Sequence, residues 1–407
     1  MKVIILSATT GGGHMSAANA ISEYLSEQNI ETKVVDTLEY ISPILNKTIT
    51  ETYEFLAKRS PKLWKLMYNS SNHRAINKVV SSSNSLISRK LMPLLNDFKP
   101  DLIVSTHPFA TEMISKLKSL NKINLPLVCV MTDYAPHRTW ISSGVDAYVV
   151  ANENMIEPMA KMGVNTEIIH PFGIPVDEDF FSEKNKGSIL SQMDLSLSIP
   201  TLLIMAGSCG FANMENVYKK LQKSKIDFQI IIITGKNPRL YNSMQSLISG
   251  SETKKHHKFI PKFKIQNINL HNLRIFKNLI KKGTDKVAIT KPTKIIYFTS
   301  EVSKYMAAAD IIITKPGGLT ISEALACNLP MALFDAIPGQ EEENAEFLVS
   351  HNMAVKLDSK KENIEVIENL LSNPEELRNM RYNCENFDKS GSLANIHTLI
   401  KSLVKYN

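Results

Sequence analysis

Short, wholly apolar runs alternate with amphipathic stretches along this chain, the pattern of parallel strands buried on both faces and joined by helices. Residues 2–8 form the first run; 33–36, 101–105, 127–131 and 145–150 follow, each closed by a turn rich in Gly, Pro, Asn, Asp or His. Between the first two, Ala17, Ala18, Ile21 and Leu25 recur at helical spacing and predict a helix over 16–26. A polar Lys/Ser/Gly-rich stretch at 182–194 interrupts the pattern, which then restarts with a strand at 201–205, a helix at 213–223 and a strand at 228–234. With 407 residues this reads as two α/β domains, 1–181 and 182–385, followed by a final helical segment at 386–407.

The second half carries the most informative junction. An apolar strand at 309–313 meets Pro316-Gly317-Gly318, after which Thr320 is placed to cap a helix with Glu323 as its capping-box partner. Strand, glycine turn and helix start aim backbone amides at an anion, although an ordinary strand–helix junction has the same pattern. Pro338-Gly339-Gln340-Glu341-Glu342-Glu343-Asn344 follows the next apolar run, and neighbouring strand ends share one crevice in an open α/β sheet. Gln340, Glu341 and Asn344 are able to pair with hydroxyls. A diphosphate seat beside such groups points to a nucleotide diphospho-sugar.

The opening strand–turn–helix with Asp36 ending the next strand also admits a nicotinamide dinucleotide reading. The glycines argue against it: a G-x-G-x-x-G motif beginning at Gly11 has Ser16 in its sixth place.

The stretch 314–348, TKPGGLTISEALACNLPMALFDAIPGQEEENAEFL, resembles the donor site of the diacylglycerol glycosyltransferases. That family includes the monogalactosyldiacylglycerol synthases and the processive diacylglycerol glucosyltransferases of glycosyltransferase family 28. The resemblance extends to the GGGH turn ending in His14, the His107-Pro108 pair, the segment from Thr132 to Trp140 and the Gly173-Ile174-Pro175-Val176 run. It implies an α/β fold of GT-B type, two facing Rossmann-like domains, the first holding a lipid acceptor and the second a UDP-sugar. The implied reaction is inverting transfer of a hexose, glucose or galactose, from UDP-glucose or UDP-galactose to diacylglycerol. His14 matches the family's base, with Asp133 either orienting it or acting as the base itself; Gly12, Gly13, His107, His137 and Trp140 fall on the acceptor side.

On the donor side the resemblance implies Gly207, Ser208, Pro316, Gly317, Gly318 and Thr320 near the diphosphate, Phe298 and Thr299 at the uracil, and Glu323 at the ribose. Gln340, Glu341 and Asn344 would meet the sugar. Ser208 and Cys209 depart from the family's more glycine-rich second loop. In this architecture the last helix, with Leu393, Ile396, Leu399, Ile400 and Leu403 in register, crosses back to the first domain. Two other function classes share these features: an N-acetylglucosamine transferase acting on a lipid-linked peptidoglycan precursor, and a UDP-sugar sensor that does not turn over.

Charge and cysteine usage sharpen the setting. Cys129, Cys209, Cys327 and Cys384 form no CxxC pair, which disfavours a disulfide framework or zinc and fits a reducing cytoplasm. The histidines lie on separate turns without metal-ligand spacing, so no metal and no cofactor are expected. No apolar run approaches the ~18 residues of a membrane span. The net charge of +7 comes from one segment: residues 254–294 hold twelve Lys/Arg against a single acid, Asp285. This basic insertion, about 250–294, reads either as a tolerated surface insertion or as an anchor to anionic lipid; nucleic acid is not an expected partner. Residues 40–75 interleave apolar and aromatic side chains with lysines, and Pro61 divides them into two amphipathic helices. Such helices pack into a core or lie in a membrane interface. The resemblance favours the membrane, with Leu63 and Trp64 dipping into its surface, and hence a cytoplasmic protein peripheral to the inner face of the cell membrane.

Overall fold

The computed structural model describes residues 1–9, 12–44, 46, 48, 52, 60–71, 85–205, 214–249, 291–334, 336–357 and 364–405. The Gly207–Ser208 loop, the basic segment as far as residue 290 and most of the amphipathic stretch before Pro61 lie outside the described residues.

Two six-stranded, all-parallel sheets carry the fold. The first comprises β1 (Lys2–Ser7), β2 (Glu31–Asp36), β3 (Leu102–Ser105), β4 (Leu127–Val130), β5 (Ala147–Val149) and β6 (Ile169–His170), in the order β2-β1-β3-β4-β5-β6. The second comprises β7 (Thr201–Met205), β8 (Gln229–Ile233), β9 (Thr293–Ile296), β10 (Ile311–Thr314), β11 (Met331–Leu333) and β12 (Ala354–Lys356), in the order β12-β11-β10-β7-β8-β9. Central strands such as Leu102–Ser105, Leu127–Val130 and Ile311–Thr314 are buried at every position, which is why they read as continuous apolar runs rather than alternating ones.

The chain winds outward in both directions from the middle of each sheet. The direction reverses between β1 and β3 in the first sheet and between β7 and β10 in the second. Loops at such switch points diverge and leave a crevice at the carboxyl ends of the strands. His14 follows β1 and Thr106 follows β3; Pro316 and Gly317 follow β10. Both glycine turns are thus placed at switch points.

Six helices matter to the site: α1 (Gly13–Glu27), α2 (Pro61–Ser71), α3 (Pro108–Ser119), α4 (Gly318–Ala326), α5 (Gln340–Ser350) and α6 (Ser392–Lys405). The helix after β10 begins earlier than the capping pattern implies. Gly317 is its N-cap, without a side-chain bond, and Thr320 already lies in the first turn. The Thr320–Glu323 capping box does not form, and Glu323 is left for other use. Helix α6 returns to the first domain, where Leu393, Ile396 and Ile400 join Val3, Ile5, Ala18, Ile21 and Val104 in one apolar cluster. The two crossings between the domains are tied to each other: Ser392 Oγ donates to the Gly173 carbonyl at 2.9 Å. No helix among the described residues is long and apolar enough to cross a membrane.

Candidate active site

His14 occupies the first turn of α1, which Gly12 caps. Its Nδ1 lies 3.0 Å from the Thr106 carbonyl oxygen and 2.7 Å from Thr132 Oγ1. A carbonyl only accepts, so Nδ1 carries the hydrogen and Nε2 keeps its lone pair. Thr106 Oγ1 donates in return to the His14 carbonyl at 2.9 Å, pinning the helix start to the end of β3. His107 stands edge-on to the ring at a centroid distance of 4.6 Å, and Trp140 lies at 5.9 Å. Burial lowers the His14 pKa to about 4, against a smaller opposing effect of the Thr106 hydrogen bond, so the ring is neutral at physiological pH.

The other histidines are engaged. His107 accepts from Phe109 N through Nδ1 at 3.1 Å and caps α3, and burial holds it well below the usual imidazole range. His137 is buried; its Nε2 donates to the Tyr68 carbonyl at 3.1 Å and its ring stacks on Tyr68 at 4.2 Å. It anchors α2. Trp140 is buried too, and its Nε1 donates to Asp133 Oδ2 at 2.9 Å. His137 and Trp140 are therefore buried supports of Tyr68 and Asp133. Asp36, the alternative ribose ligand, accepts from Thr9 N at 3.0 Å and from Glu39 N at 2.9 Å, closing the end of its own strand.

Three consecutive residues after β4 dock on the second domain. The Thr132 carbonyl meets Gly318, where an added Cβ would lie 1.9 Å from the oxygen. Asp133 accepts from Gln340 Nε2 through Oδ1 as well as from Trp140. Tyr134 N donates to Asn344 Oδ1 at 2.9 Å, while its hydroxyl lies 2.8 Å from Ser322 Oγ. Asp133 therefore does not orient His14; Thr106 and Thr132 do. Burial raises the Asp133 carboxyl to about 6, with the Gln340 and Trp140 hydrogen bonds pulling the other way.

These contacts also engage the residues expected at the sugar. Asn344 is buried; its Oδ1 takes part in the domain contact through Tyr134, and its Nδ2 donates to the Pro316 carbonyl of its own domain at 3.0 Å. Gln340 reaches across to Asp133. Glu341 accepts from Ile337 N at 2.7 Å within its own turn. All three hold backbone or side chain in this conformation, through Gln340 Nε2, both polar atoms of the Asn344 amide and Glu341 Oε2.

On the donor side, the amides of Gly318, Leu319 and Thr320 precede the first intrahelical bond of α4, Ile321 N to Gly317 O at 3.1 Å. They are the donors that a helix start leaves over. Gly13 lies directly opposite: a Cβ there would sit 3.3 Å from the Leu319 Cβ. Glu323 is half-buried, and its carboxylate has no hydrogen bond or ion pair among the described residues. Burial first, and the Asp177 charge second, raise its pKa to about 8. Phe298 is 52% exposed beyond β9, with the Lys236 ammonium 4.7 Å from its ring centroid. Thr299 Oγ1 accepts from Glu301 N at 2.9 Å and shapes the turn beside it. Among the described residues, no three His, Cys, Asp or Glu side chains gather as metal ligands.

Helix α2 straps the two halves. Lys65 donates to Glu342 Oε2 at 2.8 Å and Tyr68 to Glu343 Oε2 at 3.0 Å, while the Tyr68 ring covers Gly339. Its outward side shows Leu63 at 48% exposure and Leu66 at 63%, beside exposed Lys62. Trp64 is only half-exposed and its indole nitrogen is buried. The outward apolar pair is Leu63 with Leu66, three residues apart on one helical face, rather than Leu63 with Trp64. Thr106, Thr132, Tyr134 and Tyr68 escaped the sequence reading; the first three are polar residues directly after apolar strands, the place where a switch-point crevice collects its ligands and latches.

Two facing parallel domains with a cleft at both switch points define the GT-B fold. The structure matches Acinetobacter baumannii MurG with a TM-score of 0.61 at 15% identity, over 98% of this chain and 99% of that one. It matches the S. aureus MnaA–UDP complex with a TM-score of 0.59 at 13% identity, over 100% and 97%. Sequence comparison reaches further. The monogalactosyldiacylglycerol synthase family model matches residues 14–176, and that of the glycosyltransferase family 28 C-terminal domain matches 267–394. A Staphylococcus epidermidis processive diacylglycerol beta-glucosyltransferase is 30% identical over 387 residues, 93% of this chain and 87% of the relative. Its counterpart from Bacillus subtilis is 25% identical over 397 residues, 96% and 92%. The chain belongs to the diacylglycerol glycosyltransferases of glycosyltransferase family 28.

Proposed function

We propose that the protein transfers a hexose from UDP-glucose or UDP-galactose to the free hydroxyl of diacylglycerol, with inversion. The observation that carries this reading is the meeting of two helix starts: His14, with Nε2 available as a base, opens α1 directly across from the α4 amides. As the diacylglycerol oxygen attacks the anomeric carbon, its proton passes to His14 Nε2. The bond from that carbon to the diphosphate breaks, and UDP leaves. A single displacement of this kind inverts the anomeric centre. The charge that develops on the diphosphate is met by the amides of Gly318, Leu319 and Thr320 and by the α4 dipole, so no divalent metal is required. Glu323 accepts from the ribose hydroxyls, and Phe298 and Thr299 flank the uracil.

The exposed Leu63–Leu66 pair beside Lys62 supports placing α2 on the cytoplasmic membrane surface, where its apolar side meets the lipid that the cleft consumes. The names of the relatives support diacylglycerol as acceptor. The test is product formation from radiolabelled UDP-glucose and UDP-galactose with diacylglycerol vesicles, with and without EDTA. His14→Ala should lower turnover by about 10² to 10⁴ while UDP still binds. Wild-type turnover in that variant, or no glycolipid from either donor, would overturn the reading.

A further inference from the structure

His14 needs a partner that holds its ring and sets its tautomer, and among the described residues no carboxylate bonds to it: Asp133 is taken by Trp140 and Gln340. We propose that Thr132 is the positioning residue for this base, and that it links the base to the donor domain. The inference rests on the assignment of His14 as the proton acceptor.

Thr132 Oγ1 is the nearer of the two groups at Nδ1, at 2.7 Å against 3.0 Å for the Thr106 carbonyl. Both sit on the same ring nitrogen, and together they leave Nε2 as the basic atom. The Thr132 carbonyl, on the same residue, packs on Gly318 at the start of α4. One residue therefore touches the base with its side chain and the donor helix with its backbone. Neighbouring Asp133 and Tyr134 fix it there through Gln340, Asn344 and Ser322. When the second domain seats against the end of β4, the hydroxyl that holds His14 is placed by the same contact that places the diphosphate seat.

Valine at 132 is close in size, removes the acceptor and sets a methyl group against Nδ1. Thr132→Val should lower kcat by about 10- to 100-fold, the scale of a misplaced catalytic group. KM for the UDP-sugar and UDP affinity by calorimetry should stay within about threefold of wild type, because no uniform binding is lost. Thr132→Ser should restore most of kcat. In ¹⁵N spectra of ring-labelled protein, His14 should be the Nδ1–H tautomer in the wild type and in Thr132→Ser, with altered ring shifts in Thr132→Val. Wild-type kcat in Thr132→Val, with His14→Ala inactive, would overturn the role of Thr132 alone. So would failure of serine to restore kcat in a folded, UDP-binding protein, or ring shifts that valine does not move. Turnover that survives His14→Ala would instead remove the base, and Thr132's role with it.

Discussion

The carbonyl of Thr132 and the α-carbon of Gly318 are in contact so close that one added carbon atom has no place between them. Helix propensity favours alanine over glycine by ~1 kcal/mol, so Gly318→Ala would stabilise α4 in isolation. In the folded protein the new methyl must push the strand end away, and with it the hydroxyl on His14. The expected result is a kcat/KM at least about 100-fold lower, with a lowered melting temperature, since such overpacking costs ~1–3 kcal/mol. Full activity in Gly318→Ala would show that the domains do not meet here during turnover.

Asp133 and His14 are separable by the size of their losses. Asparagine at 133 can accept from only one of Trp140 and Gln340 and turns its amide hydrogens on the other. Asp133→Asn should therefore weaken domain seating and lower kcat by about tenfold, whereas His14→Ala removes the base and costs about 10² to 10⁴. The opposite ranking would make Asp133 the base.

The pH dependence of turnover should follow the same geometry. Because burial lowers the His14 pKa to about 4, the ring is unprotonated, and able to accept a proton, above that pH. The acid limb of kcat/KM attributable to His14 is expected well below the 6.5 of a free imidazole. A rate profile measured from pH 4 to 8 checks this; a limb at 6.5 that disappears in His14→Ala would refute it.

Glu323 titrates in the opposite sense. Its pKa, raised to about 8, leaves it protonated at neutral pH before UDP binds. Accepting from two ribose hydroxyls favours the carboxylate, so binding should release close to one proton at pH 7. UDP affinity should then rise by up to about tenfold per pH unit until pH 8 is reached. Calorimetry in buffers of different ionisation enthalpy measures the released proton, and Glu323→Gln should abolish both the release and the slope.

Among the described side chains of α2, Leu63 and Leu66 are the large apolar ones that face outward. Substituting both by aspartate should abolish flotation with anionic diacylglycerol vesicles and leave UDP binding intact, since neither touches the cleft. Trp64→Ala should instead lower stability, its indole nitrogen being buried. Undiminished flotation of the double variant would move the membrane contact elsewhere.

The architecture was legible because its signals are local. Buried parallel strands appear as unbroken β-branched runs such as residues 311–313, and Gly and Pro punctuate their ends. The family was legible for the same reason, since 314–348 is one continuous stretch. What could not be read were pairings between distant positions. Gln340, Glu341 and Asn344 have the chemistry of sugar ligands, yet Gln340 and Asn344 spend it on Asp133 and Tyr134, more than 200 residues away. Thr320 has the residue type of a cap, but the helix, whose Gly318 closely approaches Thr132, takes Gly317 as its N-cap and starts three residues earlier. The resemblance places Trp140 and His137 on the acceptor side, and their burial against Asp133 and Tyr68 could not be read from it.

The chain passes from the first domain to the second beside Gly173 and returns beside Ser392, and a hydrogen bond joins the two passages. A body hung on one passage of chain is free to twist or slide; two passages held side by side favour bending about the line they share. The halves of this protein are bound like the covers of a book, with the spine at Gly173 and Ser392.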